Sequence, residues 1–234
     1  MSLKMTKIGE ILEELLRQEL RAGLYVIATD IGNPGDISLR ALAILSKVDL
    51  IICEERKVGL TFLKKYGIEK PLELLNEHNE VKQSKILLEK LLTKKMTAAL
   101  ISDNGTPLFA DPGSKLVYQC HYYQIPVFSV PGASSIMAAL MIAGRKKQSF
   151  HYYGFLPANK EERIIELKKL KREADVDYLF LEAPYRLEAF LRDMQMILGK
   201  ERQGIIAYKL THPEEKLFTG TLQELQTMIE ELPK

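Results

Sequence analysis

Three short apolar runs each break into a turn of glycine, proline and small polar residues and then into a helical pattern. This repetition narrows the available folds more than anything else in the chain. The runs span 24–29, 98–101 and 126–130; the turns that follow reach Asp36, Gly113 and Ser135. Further strand-like runs lie at 50–53 and 72–75, and helical spacing fills the intervals. Strand and helix in alternation predict a parallel sheet covered by helices. The runs at 50–53 and 127–130 are apolar on both faces, Ser129 apart, as strands buried on both sides are.

An amphipathic helix is predicted over 4–22, with Ile8, Ile11, Leu12, Leu15 and Leu16 on one stripe and Gly23 as its stop. A second helix is expected over 36–46, with Asp36 or Ser38 as its cap. After Pro131-Gly132 the alternation loosens. Helices are predicted at 134–143, 160–172, 185–198 and 221–231, and strands near 150–153, 178–181, 205–208 and 216–219. The organisation expected is a helical extension at 1–22, a parallel α/β domain at 23–131 and a mixed α/β domain at 132–234.

Composition excludes several classes. Hydrophobic residues are 46% and charged residues 27% of 234, as in ordinary globular chains. No run approaches the roughly 18 apolar residues that span a bilayer, and the N-terminus lacks a signal-peptide core. Cys53 and Cys120 are the only cysteines and have no metal-ligand spacing, so neither a metal site nor a disulfide framework is expected and a reducing cytoplasm is the simplest setting. Net charge is +2, but residues 140–172 hold nine Lys or Arg against three Glu, and 173–234 hold seven basic against twelve acidic residues. The basic stretch is either a footprint for an anionic partner or a solvated helix face.

Each turn follows a strand and precedes a helix. In parallel sheets, ligands bind beyond the carboxyl ends of the strands, where glycines admit close backbone approach and helix N-termini offer free N–H groups. One such turn is an ordinary connection as readily as a site. The loop at 102–113 (S-D-N-G-T-P-L-F-A-D-P-G) is longer and more polar than a connection requires, and three turns at one sheet edge converge on one crevice.

The motifs resemble those of the tetrapyrrole methylase superfamily, and within it the branch that methylates the cytidine 2′-oxygen of small-subunit ribosomal RNA. The resemblance rests on A-T-D-I-G-N-P-G-D-I-S-L-R-A at 28–41, Glu77-His78-Asn79-Glu80, the 102–113 loop, P-G-A-S-S at 131–135, Gly154-Phe155-Leu156-Pro157 and Glu182-Ala183-Pro184-Tyr185-Arg186. It covers roughly residues 23–222. It implies two α/β domains and S-adenosylmethionine as cofactor, held by Pro34, Asn104, Gly105, Thr106, Phe109, Ser134 and Ser135, with Glu182 and Tyr208 from the second domain. It also implies a homodimer, and ribosomal RNA or the small subunit as partner.

The chain departs from that branch at Asp30, where the branch has Pro, at Asn104, where it has Ala, at Glu54-Glu55-Arg56-Lys57-Val58-Gly59, where it has an E-D-T-R-H-T-like segment, and at 207–212. Candidate substrate-facing residues have changed more than the cofactor motifs.

A ribose hydroxyl is a poor nucleophile at neutral pH, so a proton acceptor is expected. His78, Glu77 and Asp30 are the candidates; a loop-bound helix start and a turn carboxylate are the plain readings of His78 and Asp30. Glu182 is a base, a cofactor contact or the ion-pair partner of Arg186. Arg186, Lys160 and Arg163 are candidates for phosphate contacts, against internal pairing and solvated lysine faces. Two other functions remain open: methylation of a tetrapyrrole or other small molecule, and a cofactor-binding module without catalysis. A nicotinamide-dependent reductase lacks its G-x-G-x-x-G after the first strand.

Overall fold

The computed structural model describes residues 5–144, 149–171 and 176–231. Part of the basic stretch noted above, residues 145–148 and 172, lies outside the described residues. Two compact units divide the chain, 1–135 and 136–234.

The first unit holds α1 (Met5–Arg17), β1 (Gly23–Ile27), α2 (Leu39–Leu45), β2 (Leu50–Cys53), α3 (Arg56–Lys65), β3 (Leu72–Leu74), α4 (Glu80–Lys94), β4 (Thr97–Ile101), α5 (Ser114–Tyr122) and β5 (Val127–Val130). The predicted helix over 36–46 is shorter at its start. Pro34–Asp36 forms a 3-10 turn, and Ser38 rather than Asp36 caps α2, accepting from the Ala41 N–H. The strands form one parallel sheet in the order β3-β2-β4-β1-β5.

Alternate residues of each strand face opposite sides, and both sides are covered. Tyr25, Ile27, Ile51, Cys53, Ala99 and Ile101 pack with Ile44 and Leu45 of α2 and Phe62 and Leu63 of α3. Leu24, Leu50, Ile52, Ala98 and Leu100 pack with Leu87, Leu88 and Leu91 of α4 and Leu116 and Cys120 of α5. The strand order explains this split. Right-handed crossovers from β1 to β2 and from β2 to β3 run one way along the sheet, putting α2 and α3 on one face. Those from β3 to β4 and from β4 to β5 run the other way, putting α4 and α5 on the opposite face. The chain leaving β4 therefore departs against the direction taken from its neighbours β1 and β2. A crevice opens at such a reversal, beyond the carboxyl ends of the strands.

Helix α1 docks through its end: the Lys47 ammonium donates to the carbonyls of Leu15, Leu16 and Gln18, groups a helix C-terminus leaves without partners.

The second unit holds α6 (Ser135–Ala143, whose first residue belongs to the first unit), β6 (His151–Phe155), α7 (Lys160–Leu170), β7 (Tyr178–Leu181), α8 (Leu187–Leu198), β8 (Gln203–Tyr208), β9 (Lys216–Thr221) and α9 (Leu222–Glu230). Both strand orientations occur, as a parallel pair β6–β7 and an antiparallel pair β8–β9. Helix α8 serves both. Phe190 and Ile197 pack with Leu167 of α7 and Phe180 of β7, while Leu191 packs with Leu222, Leu225 and Ile229 of α9. Thr221 and Glu224 form a reciprocal capping box that starts α9.

Candidate active site

The three turns meet at the carboxyl edge of the first unit's sheet because β1 lies between β4 and β5. Thr29, 1% exposed, ties the first turn to the second. Its backbone N–H donates to the Gly105 carbonyl at 2.9 Å, and the Gly105 N–H donates to the Thr29 hydroxyl at 2.9 Å and to the Asp30 carbonyl at 3.0 Å. The Thr106 hydroxyl then donates to the Ala133 carbonyl at 2.9 Å, joining the second turn to the third.

Gly105 cannot be replaced without movement. Its φ is +81°, and a Cβ there would stand 2.6 Å from Ile31 Cγ2 and 3.3 Å from the Ala133 carbonyl oxygen. Leu108, a few residues on, also has positive φ, +74°, a conformation costly for a bulky side chain. This loop is anchored from α4. The Glu80 carboxylate accepts from the N–H groups of Gly113 (2.9 Å) and Lys115 (3.3 Å) and pairs with the Lys115 ammonium at 3.3 Å. Burial works to raise its pKa, but these donors prevail and hold it below the ordinary value. Sequence reading marked Glu80 only as the end of a motif; its partners, 33 and 35 residues away, carry no local signal.

Of the three candidate bases, Asp30 is held best. It is 8% exposed. Its Oδ1 accepts from the Gly32 N–H at 3.2 Å, and its Oδ2 lies 3.3 Å from the Tyr66 hydroxyl, which is also 2.9 Å from the Pro34 carbonyl. Burial first, and then the Asp30 charge, push the Tyr66 phenol up to about 12. Glu77 and His78 are exposed on the turn between β3 and α4. That turn is clipped by its asparagines, each donating its N–H to the other's side-chain oxygen: Asn76 to Asn79 at 2.8 Å and Asn79 to Asn76 at 3.1 Å. Of the expected cofactor contacts, Pro34 and Asn104 are exposed, Phe109 is 57% exposed, and Thr106, Ser134 and Ser135 are half-buried.

Carboxyl groups gather around β2 and β4. Glu54 is raised by burial and then by Asp103, Asp111, Glu77 and Glu55. Asp103 is raised by burial and by Glu55 and Asp111, against a hydrogen bond from the Glu55 N–H. Cys53, pushed up to about 12 mainly by burial, is an inert thiol.

In the second unit the charged candidates turn inward. Arg163 does not lie on a surface: it is 6% exposed, and its Nε and Nη2 donate to Asp193 Oδ2 at 2.9 and 2.6 Å. Its Nη1 donates to the carbonyls of Pro157 and Ala158. The expectation of a phosphate contact is corrected accordingly. An amphipathic helix hides one charged residue among its lysines without any change of periodicity. Arg186 takes the paired reading too. Its Nε lies 3.2 Å from Glu182 Oε1, and its Nη2 donates to the carbonyls of Leu156 and Pro157. Two sequence motifs thus lock together, the 182–186 turn holding the 154–157 segment. Glu182 Oε2 is buried without a hydrogen-bond partner among the described residues. Tyr208 is half-buried at the end of β8, and Lys160 is exposed at the start of α7.

A family profile described as Tetrapyrrole (Corrin/Porphyrin) Methylases matches residues 23–226. The chain belongs to this family. Among its relatives are proteins named ribosomal RNA small subunit methyltransferase I. That of Haemophilus influenzae is 40% identical over 92% of this chain and 75% of its own length, and that of Thermotoga maritima is 40% identical over 86% and 89%. Solved structures share the fold. A uroporphyrin-III C-methyltransferase from Thermus thermophilus complexed with S-adenyl homocysteine gives a TM-score of 0.60 at 16% identity over 91% of this chain and 94% of that one. A diphthine synthase gives 0.70 at 15% identity over 90% and 87%. The expected tetrapyrrole methylase architecture is thereby met, and with it methyl-transfer chemistry that uses S-adenosylmethionine.

The residues of this methylase fit such a cofactor. Gly105 and Gly132 let the turns close on one another where a Cβ would strike Ile31 (2.6 Å) or Ala28 (3.1 Å), and small residues without bulky side chains leave room for a ligand at the edge. The exposed Phe109 ring offers the apolar contact a purine needs.

Proposed function

We propose that this methylase transfers a methyl group from S-adenosylmethionine to a ribose 2′-hydroxyl of small-subunit ribosomal RNA. The observation that carries this reading is the 40% identity, sustained over 92% of the chain, with a ribosomal RNA small subunit methyltransferase I. The interlocked turns at 29–36, 102–113 and 131–135 support it as the place of the cofactor. Pro34, Asn104, Gly105, Thr106, Phe109, Ser134 and Ser135 would line that place. Tyr208 and Glu182 of the second unit remain proposed cofactor contacts; Glu182 Oε2, buried and without a partner among the described residues, suits a ligand donor.

The bound cofactor supplies an electrophilic methyl group on a sulfonium that leaves as a neutral thioether. The protein's part is alignment, exclusion of water and removal of one proton. Asp30 is the proposed acceptor of the hydroxyl proton, because two hydrogen bonds fix its carboxylate; among the described residues no comparable bonds hold Glu77 or His78. Lys160 remains a candidate for a phosphate. A cytoplasmic homodimer completes the proposal. Helix α6 (S-I-M-A-A-L-M-I-A) buries only Ile136 and leaves Met141 80% exposed, an apolar surface suited to a second copy. Among the described residues no helix is long and apolar enough to cross a membrane.

The test uses small ribosomal subunits from a strain lacking the gene, the purified chain and methyl-labelled S-adenosylmethionine. Label in one ribose-methylated nucleotide is expected. Binding of S-adenosylhomocysteine without RNA labelling would move the acceptor to a small molecule. No binding at millimolar ligand would overturn both.

A further inference from the structure

A pocket of about 330 Å³ opens at the carboxyl edge of the sheet, beyond β2, β4 and β1. Its lining comes from the carboxyl ends of three neighbouring strands and from one helix: Asp30 after β1, Glu55 after β2, Asp103 after β4, and Lys57, Phe62 and Lys65 of α3. The sheet topology accounts for its position. Strand β4 is flanked by β2 and β1, and the chain leaves it against the direction taken from both, so a crevice exists on each side. The pocket shares Asp30 and Asp103 with the first two interlocked turns and extends from them toward β2 and α3.

Its walls differ in chemistry. Phe62, 8% exposed, is an apolar wall. Glu55 and Asp103 form an adjacent carboxyl pair, the Glu55 N–H donating to Asp103 while Asp103 Oδ1 is buried with no hydrogen-bond partner. A buried acceptor without a donor marks a place where a ligand's N–H group belongs. Lys57 and Lys65 are exposed and take part in no ion pair among the described residues. They lie two helical turns apart on one face, a rise of about 12 Å. Gly59, between them, lets α3 approach β2 closely: a Cβ there would stand 2.8 Å from Cys53 Sγ.

We propose that this pocket seats one nucleotide of the acceptor strand, with the Glu55–Asp103 pair on the amino-bearing edge of its base and Lys57 and Lys65 on the flanking phosphates. The proposal rests on the RNA reading above and specifies where that RNA is recognised. A carboxyl group accepts from the exocyclic amine of cytosine, and uracil offers no such donor. The volume, at the small end of the ~300–1,000 Å³ typical of ligand sites, suits one nucleotide.

The test measures methyl transfer to unmethylated small subunits and to subunits reconstituted with uridine in place of the target cytidine. Lys57→Gln/Lys65→Gln should raise KM for subunits about tenfold, more than it changes kcat, and make the salt dependence of log KM shallower by about 1 to 1.5. Affinity for S-adenosylhomocysteine and thermal unfolding serve as folding controls and should not move. Glu55→Gln and Asp103→Asn should each narrow the preference for cytidine over uridine by about tenfold. Unchanged KM and salt dependence in the lysine variant, or an unchanged base preference in both acid variants, overturns the proposal while leaving the RNA reading intact. A wild-type chain that labels no RNA overturns that reading instead.

Discussion

The two units use their buried polar atoms in opposite ways. At the edge of the first unit's sheet, Thr29, Gly105, Thr106 and Ala133 hold one another mostly through main-chain groups, while Asp103 and Asp30 remain at a pocket. In the second unit, Arg163 and Arg186 are consumed by Asp193, Glu182 and the carbonyls of 156–158. Charge placed on a loop edge is available to a ligand; charge folded into a helix–turn junction is scaffold.

The largest effect expected from this contrast is in the second unit. Arg163→Ala strands Asp193 in a buried place and should cost about 3–5 kcal/mol in urea unfolding. Replacing both partners with apolar residues should recover much of that loss. Full stability with lost RNA methylation would put Arg163 among the ligand contacts and break the comparison. Next, Gly105→Ala should weaken S-adenosylhomocysteine about tenfold or more by calorimetry, because strain of about 1–3 kcal/mol enters at the turn itself. Unaltered affinity would remove the interlocked turns from the cofactor site. Thr29→Val should cost about 1–2 kcal/mol, since it removes a hydroxyl bonded to Gly105 and Ser102.

The smallest effect concerns Glu80. Its folded pKa is depressed, so its contribution is full above the unfolded value of about 4.3 and is lost as pH falls through the lower folded value. Glu80→Gln should cost about 1 kcal/mol at pH 7. The two unfolding curves should converge below pH 4; parallel curves would mean that the anchor does not depend on charge.

Most of the fold was legible. The runs at 50–53 and 178–181 appear as β2 and β7 with the same bounds, because apolar runs bounded by turn residues have few alternatives. The convergence of the turns was legible as well, since parallel strands must end at one edge. What escaped depended on partners distant in sequence. Asp193 lies 30 residues from Arg163, and nothing local to α7 distinguishes that arginine from the lysines around it. The Lys57–Lys65 stripe became a candidate only when strand order placed α3 beside Asp103, 46 or fewer residues away in a chain that gives no sign of β4 lying between β1 and β2.

The sheet's two borders bear on how copies of this methylase can associate. On one side β3 is three residues long, follows Pro71, and carries Glu73 clasped by Gln83 and Lys90. On the other, β5 follows Pro126, and Arg40 covers the Ser129 carbonyl at 3.2 Å. Neither border presents an uninterrupted ladder to a foreign strand. The five-stranded sheet therefore resists the addition of a strand from another copy, and the proposed pairing has to use a different surface.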